Sequence, residues 1–396
     1  MNVLLVSIFT KKIVYGEGRL GNLMKWLPSD TKYTLLTSDF DHRKKMYCCT
    51  NQSSQNDNVT TEYIHVPSYS RNLSILRIWG NFKFGWGVKR FLNSVSKEFD
   101  FIYCIVPSAS GVLGCRPYLH SHRNTRLVVD VMDLLPESLI PILGNNIFIK
   151  TILSPWFYIS KKAYRTAHFI TGESKEYANI AHRCNPAVPF TYTYLGIDMS
   201  QVDNFKKRNK NLLPDDDSIK ICYGGNLGNS YDFDAIIKAL SLLHSAGINY
   251  SMFFVGGGDK EDYVRGKINE TGIKATVTGI VSYEEYIGYL SQCDIGLNIF
   301  KTNTKIVHSY KFNDYAACSL FIINNLHGET ESMIQQYDCG VTSDNIAETL
   351  VEICSSWDNL KSKKKNSLNL ANAELNSDVI YKKQTEKILS ILEFQK

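Results

Sequence analysis

The chain has no long hydrophobic run, no CxxC cysteine pair, no internal repeat and no low-complexity tract, and each absence narrows what it can be. A membrane-spanning helix needs about 18 or more consecutive apolar residues. The nearest approach, Leu139–Ser160, is interrupted by Pro141, Asn145, Asn146, Lys150 and Pro155, so it reads as a buried or interfacial helix. Ten cysteines occur, several of them inside apolar strand patterns. That usage fits reduced thiols acting as small hydrophobes, the habit of a cytosolic protein. An apolar strand pattern starts at Asn2, directly after Met1, which leaves no room for a signal peptide and makes translocation an unlooked-for fate.

What is present is enough for two cores. The 396 residues are 44% apolar, and single hydrophobic cores stop growing near ~250 residues. Charge is unevenly spread: residues 1–200 carry 23 Lys/Arg against 14 Asp/Glu, and residues 201–396 carry 21 against 25, so the halves stand near +9 and −4. The N-terminal half is therefore suited to an anionic partner.

Strand patterns fall at Asn2–Phe9, Lys32–Ser38, Thr61–Val66, Phe101–Val106, Thr125–Val131 and Ala167–Ser174, with a short one within Thr191–Asp198. Helical or loop patterns separate them, which is the rhythm of βαβ units and a parallel sheet. Met199–Lys220 is polar and charged with little apolar periodicity and reads as a domain boundary. Beyond it the βα pattern restarts. The expected architecture is α/β, with two Rossmann-like domains over residues 1–200 and 215–376 and a closing helix, 377–396, able to pack back on the first.

The second half marks its strand ends with glycine. Tyr223-Gly224-Gly225-Asn226-Leu227-Gly228 and Val255-Gly256-Gly257-Gly258-Asp259 each follow an apolar run and precede a helical pattern. Such turns let backbone N–H groups approach a phosphate, whose charge a helix N-terminus favours. Each is also an ordinary strand-to-helix turn. Further on, Ser309-Tyr310-Lys311-Phe312 leads to Asp314. Lys311 and Asp314 share a helix face, where they serve either as a cation for a diphosphate and an acid for ribose hydroxyls or as a surface ion pair.

The first half holds Gly16-Glu17-Gly18-Arg19-Leu20-Gly21, formally GxGxxG, with Asp39 after the second strand. A dinucleotide-binding fingerprint follows its strand at once; here Thr10–Tyr15 intervene. The loop reads instead as a ligand-adjacent glycine loop with Arg19 as an anion contact, or as a plain turn. Paired aspartates at Asp39/Asp41, Asp232/Asp234 and Asp215–Asp217 resemble metal-binding strings, yet charged loops produce them often and no metal is expected. His120 and His122 lack acid or Cys partners at ligand spacing. Arg77–Leu92 interleaves Trp79, Phe82, Phe84, Trp86 and Phe91 with Arg77, Lys83, Lys89 and Arg90. This pattern suits an anionic membrane surface, a stacked nucleic acid or a helix packed on the sheet. Without a nucleic-acid-binding signature elsewhere, the membrane is preferred over nucleic acid.

In order, YGGNLGNSYD, FFVGGGD, VTGIVSYEEYIGYLSQCDIGLNIF, SYKFNDYAA and DCGV resemble the donor domain of GT-B glycosyltransferases, specifically family 4 retaining enzymes of bacterial O-antigen and capsule synthesis. VVDVMDLLPESL (Val128–Leu139) resembles that family's strand-end segment in the first domain. The resemblance implies two domains facing across a cleft and a nucleotide-sugar donor as substrate, without a cofactor. It also implies a polyprenyl-diphosphate-linked saccharide as acceptor, at the cytoplasmic face of the membrane. It places Gly225, Asn226, Gly228, Gly256 and Ser309 at the donor, with Gly279, Ile280 and Val281 near its base. Lys311 falls on the diphosphate and Asp314 on the ribose. Asp133 is a sugar or acceptor contact, with Gly16, Gly18, Arg19 and Glu137 along the acceptor side. The sequence departs from the family where Ile306 replaces the first acid of Glu-x7-Glu, where Asn229-Ser230 replaces a basic residue, and at Ser319 and Phe321. A nucleotide-sugar epimerase of the same architecture and a non-enzymatic nucleotide-sugar- or membrane-binding protein remain open beside the transferase.

Overall fold

The computed structural model describes residues 1–48, 58–71, 74–140, 144, 146–302, 304 and 306–393. The chain divides into two compact units, Met1–Tyr194 with Tyr381–Lys396, and Leu195–Ile380.

The first unit is built on six strands, β1 (Asn2–Val6), β2 (Lys32–Ser38), β5 (Val59–Ile64), β6 (Phe101–Val106), β7 (Arg126–Val131) and β8 (Phe169–Gly172), ordered β5-β2-β1-β6-β7-β8. All neighbours are parallel. A two-stranded ribbon, β3 (Phe40–Asp41) with β4 (Met46–Tyr47), interrupts the second crossover. Parallel strands bury both faces, and here successive residues alternate between two cores. Leu4 and Val6 pack with Phe84, Val88 and Ile102, while Val3 and Leu5 pack with Leu20, Leu23 and Ile388. Ile388 belongs to the closing helix Ser377–Glu393, whose Gln384 also donates to Thr171 Oγ1 at 2.8 Å.

The second unit repeats the plan with β9 (Ile219–Gly224), β10 (Tyr250–Val255), β11 (Ala275–Val277), β12 (Ile295–Asn298), β13 (Phe321–Asn324) and β14 (Gly340–Thr342), ordered β11-β10-β9-β12-β13-β14. Both sheets reverse direction of growth beside their first strand, between β1 and β6 and between β9 and β12. Ligands of such sheets bind at that point, beyond the strand C-termini.

Two expectations change. The strand expected within Thr191–Asp198 is reduced to isolated bridges, Phe190 with Ile170 and Ile197 with Asn376, because the chain here passes from one unit to the other. The polar run from 199 to 220 contains the helix Met199–Arg208, which buries only Val202 and so shows almost no apolar periodicity. Of the cysteines, Cys49 lies outside the described residues. The other nine are free, and seven of those are buried.

The aromatic segment forms the helix Ile75–Ser94. Its Gly85 lies so close to Ser110 of the helix Ala109–Ser121 that a Cβ would overlap the Ser110 carbonyl. With Gly80, Phe84, Gly85, Val88 and Leu92 turned inward, Ile75, Trp79, Phe82 and Trp86 are left exposed. The interrupted run contributes a second such helix, Ile147–Tyr164, with Ile147, Phe148 and Ile152 exposed; Pro141 and Asn145 lie outside the described residues. No described helix is long and apolar enough to cross a membrane.

Candidate active site

In the second unit the loops after β9, β10 and β11 are knitted by their backbones. Gly225 N donates to Val255 O at 2.9 Å, Leu227 N to Gly257 O at 3.0 Å and Lys260 N to Leu227 O at 2.8 Å, while Gly256 bridges to Gly279. The approach demands glycine: Gly256 has φ +140°, and a Cβ there would collide with the Gly225 carbonyl. Asn226 is exposed, Gly225 and Val281 are half-buried, and Ile280 projects with 88% of its surface exposed. Gly228 is buried under the Asn226 side chain.

The helix after the first glycine loop, Phe233–Ser245, is capped by its own Asp232, which accepts from Ala235 N at 3.0 Å. A carboxylate therefore already occupies the dipole expected to serve a phosphate. The helix Tyr310–Ala317 differs, because Ser309 at its N-cap makes no capping bond. Ser309 Oγ donates instead to Asn298 Oδ1 at 2.7 Å, and Asn298 Nδ2 donates to Asn324 Oδ1 at 2.8 Å. Both asparagines are fully buried at the C-terminal ends of β12 and β13. This chain turns the hydroxyl away from its own helix, leaving the first-turn N–H groups without a side-chain cap. Tyr315 locks the helix to the sheet: its hydroxyl accepts from Gly224 N at 2.8 Å and donates to Leu297 O at 3.1 Å.

Lys311 stands on this helix, only 5% exposed. Its Nζ lies 3.6 Å from the ring centroids of both Tyr223 and Tyr231 and 5.8 Å from that of Phe300. Among the described residues it has no hydrogen-bond partner. Burial holds its pKa well below the usual lysine value, opposed by the charge of Asp314. Lys311 is thus a sequestered amine whose N–H donors meet ring faces and, among the described residues, no hydrogen-bond acceptor. Asp314, 9% exposed, accepts from Tyr283 at 3.0 Å and Tyr286 at 3.2 Å, and burial pushes its carboxyl up to about 6. A carboxylate has about four acceptor positions, so capacity remains for a diol. The four tyrosines escaped sequence reasoning although all four lie inside the quoted motifs; their signal was aromatic residues flanking strand ends. Ile306 is half-buried and offers no acid.

In the first unit, Arg19 requires a correction. It is 6% exposed and spent inside the protein, its Nε and Nη2 donating to Asp130 at 2.5 and 2.6 Å and its Nη1 to Thr193 O at 2.6 Å. Tyr103 adds a third bond to Asp130 at 2.8 Å. A guanidinium fully committed to a buried carboxylate is a structural tie, not an open anion contact. Gly16 and Gly18 adopt φ of +78° and +60° in the turn before it, and Gly16 N closes the loop on Gly21 O at 3.0 Å.

Beyond β7, Asp133 and Glu137 are half-buried; burial raises both pKa values, and Glu137 is raised further by Asp133. Glu137 Oε2 is buried without a hydrogen-bond partner among the described residues. Glu173, just past β8 and missed in the sequence, is pushed up to about 7 by burial, with Arg19 opposing and Asp130 and Asp133 adding to the rise. Three protonatable acids thus follow adjacent strands.

The aspartate strings are used locally. Asp39 holds His65 at 2.6 Å, Asp41 caps the turn at Arg43 and Lys44, Asp234 accepts from Tyr263, and Asp216 holds Ser218.

Two Rossmann-like units with the same strand order define the GT-B class of fold, and solved structures of that class match along the whole chain. HepE of Anabaena in complex with UDP aligns with a TM-score of 0.68 at 13% identity, covering 98% of this chain and 100% of that one. Sucrose-phosphate synthase from Thermosynechococcus elongatus aligns at 0.67 and 13% identity, over 100% of both chains. WaaG, a glycosyltransferase involved in lipopolysaccharide biosynthesis, aligns at 0.58 and 11% identity, covering 98% of this chain and 99% of its own. No protein-family model matches the chain. No curated protein matches it in sequence.

Proposed function

We propose that the protein is a glycosyltransferase that moves a sugar from a nucleotide-sugar donor to a hydroxyl of a lipid-linked saccharide, with retention, in the synthesis of a surface polysaccharide. The observation that carries this reading is Lys311: a buried amine without a hydrogen-bond acceptor among the described residues, three residues from Asp314, on a helix without a side-chain cap at the C-terminal ends of a Rossmann-type sheet. A nucleoside diphosphate fits that set. Its phosphates suit Lys311 and the N-terminus of a helix without a side-chain cap, its ribose diol suits Asp314, and its base suits Gly279, Ile280 and Val281. Gly225, Asn226, Gly228 and Gly256 let the backbone approach the phosphates.

In the transfer, the bond from the anomeric carbon to the diphosphate oxygen breaks and one to the acceptor oxygen forms. The acceptor's proton passes to the departing diphosphate. Charge grows on that diphosphate, and Lys311 with the helix amides meets it, which lowers the barrier. Asp133 and Glu137 contact the sugar or acceptor from the first unit. HepE was solved with UDP and with UDP-glucose, which makes UDP-sugars the first donors to try. WaaG's role in lipopolysaccharide biosynthesis and the exposed apolar helices of the first unit support a lipid-linked acceptor and peripheral contact with an anionic membrane.

The protonatable acids Asp133, Glu137 and Glu173 favour one second reading, a nucleotide-sugar epimerase, which needs acid and base groups. Thermal-shift screening with UDP-, GDP-, dTDP- and CMP-sugars tests the shared donor site; a ligand at about 100 times its Kd adds about 2.7 kcal/mol. Product analysis then separates the two readings: glycosylated lipid supports transfer, and free epimerised sugar nucleotide supports the epimerase.

A further inference from the structure

The first unit contains a cavity of about 500 Å³ between the helices Ile75–Ser94 and Ile147–Tyr164. Its wall is apolar for most of its extent, with Ile78, Leu135, Leu139, Ile152 and Trp156 among the lining side chains. That volume lies in the range of small-molecule sites. A methylene takes roughly the space of a water molecule, ~30 Å³, so the cavity has room for on the order of fifteen of them. Its surroundings are not those of a closed core: Ile152 is 58% exposed, and Ile75, Phe82 and Phe148 are exposed nearby. Contiguous exposed apolar surface of this kind marks a binding site.

One part of the wall is charged. Arg77 lines the cavity, and its field reaches Asp133, whose carboxyl it favours in the ionised form. Arg77 also stands near Lys45 and His42. Burial, then Lys45 and Arg77, hold His42 down to about 4, and Lys45 is itself lowered by burial and by Arg77. Arg77 is therefore the cation on the cavity wall. In the segment that carries Asp133 and Glu137, Leu135 and Leu139 line the cavity.

We infer that this cavity holds the hydrocarbon chain of a single phosphate-bearing acceptor lipid, with its phosphate beside Arg77 and its sugar toward Asp133. The inference rests on the lipid-linked acceptor of the proposed function and assigns the lipid a seat inside the protein, distinct from adsorption of the exposed helices to a bilayer. Apolar lining removes the chain from water, and Arg77 complements its phosphate.

The test measures binding of a fluorescent short-chain isoprenyl diphosphate to the full chain without nucleotide. Ile152→Glu places a carboxylate in the wall, and Ile152→Trp fills the cavity without charge; each should weaken binding at least tenfold. Arg77→Met should abolish the preference for the diphosphate over the uncharged isoprenol. Trp86→Glu, on the same helix but outside the cavity, should leave binding unchanged. Equal binding by wild type and both Ile152 variants, or loss in Trp86→Glu alone, would overturn the proposal in favour of surface adsorption. The thermal shift with nucleotide sugars is read on the same samples. Chain binding without any nucleotide-sugar shift sustains the cavity and removes the transferase. A nucleotide-sugar shift with no chain binding removes the cavity alone.

Discussion

Replacing Lys311 with Met separates a cation held for a ligand from one held for the fold. Methionine keeps the length and volume of the stem but removes the charge. In the free protein Lys311 has two ring faces at 3.6 Å and no hydrogen-bond acceptor among the described residues. Lys311→Met should therefore stabilise the free protein, on the order of the 1–4 kcal/mol gained when buried charge gives way to apolar volume, and raise its Tm. The same change deletes a charge-assisted contact to diphosphate, about 2–3 kcal/mol, and so weakens UDP or the cognate nucleotide ~30- to 150-fold. The sign of the pH effect follows from a folded pKa below the unfolded 10.5. Between those values the unfolded chain binds more protons, so wild-type stability rises with pH across that window, and the Met variant loses the slope. A bound diphosphate favours the charged form, so calorimetric titrations in two buffers should show proton uptake on binding within that same window. The assays are thermal denaturation and titration calorimetry on both proteins. A variant that loses stability and keeps its nucleotide affinity would refute the reasoning and make Lys311 a structural cation.

Further expectations follow from the same geometry. Asp314→Asn should relieve a buried carboxyl raised to about 6 and weaken nucleotide binding about tenfold or more, with a smaller effect on inorganic diphosphate, which lacks the ribose; calorimetry reads both. Arg19→Met leaves Asp130 buried with only the Tyr103 hydroxyl and no countercharge, and should cost about 3–5 kcal/mol in chemical denaturation without altering nucleotide binding in the other unit. Gly256→Ala meets both φ +140° and the Gly225 carbonyl and should cost about 2–4 kcal/mol while loosening the donor loops. Glu173, raised from 4.5 to about 7, binds a proton in the folded state that the unfolded chain releases. The first unit's stability therefore falls as pH rises from 4.5 to 7, and Glu173→Gln should flatten that fall in denaturation profiles.

Strand patterns and glycine turns were legible in the sequence because they are local. Alternation at Val3–Val6 reports two covered sheet faces, and Gly225 and Gly256 report backbones in close contact. What stayed hidden depends on residues far apart in the chain. Arg19 looked available because its partner, Asp130, lies 111 positions away. Lys311 and Asp314 read as a pair on one helix face, yet their immediate company is Tyr223 and Tyr231 for one and Tyr283 and Tyr286 for the other. The missing side-chain cap of Tyr310–Ala317 depends on Asn298 and Asn324 drawing Ser309 away, which no spacing rule encodes. The exposed faces of Ile75–Ser94 and Ile147–Tyr164 were visible only as composition, since glycine contacts decide which side turns inward.

The central claim is most directly tested by incubating the full chain with radiolabelled nucleotide sugars and a polyprenyl-diphosphate-linked saccharide, and following label into the lipid phase. Transfer from one donor with its anomeric configuration kept, one nucleoside diphosphate released per sugar moved, and loss of transfer in Lys311→Met are the expected results. Label that stays in the nucleotide fraction with every donor, or transfer that is unchanged in Lys311→Met, would contradict the claim.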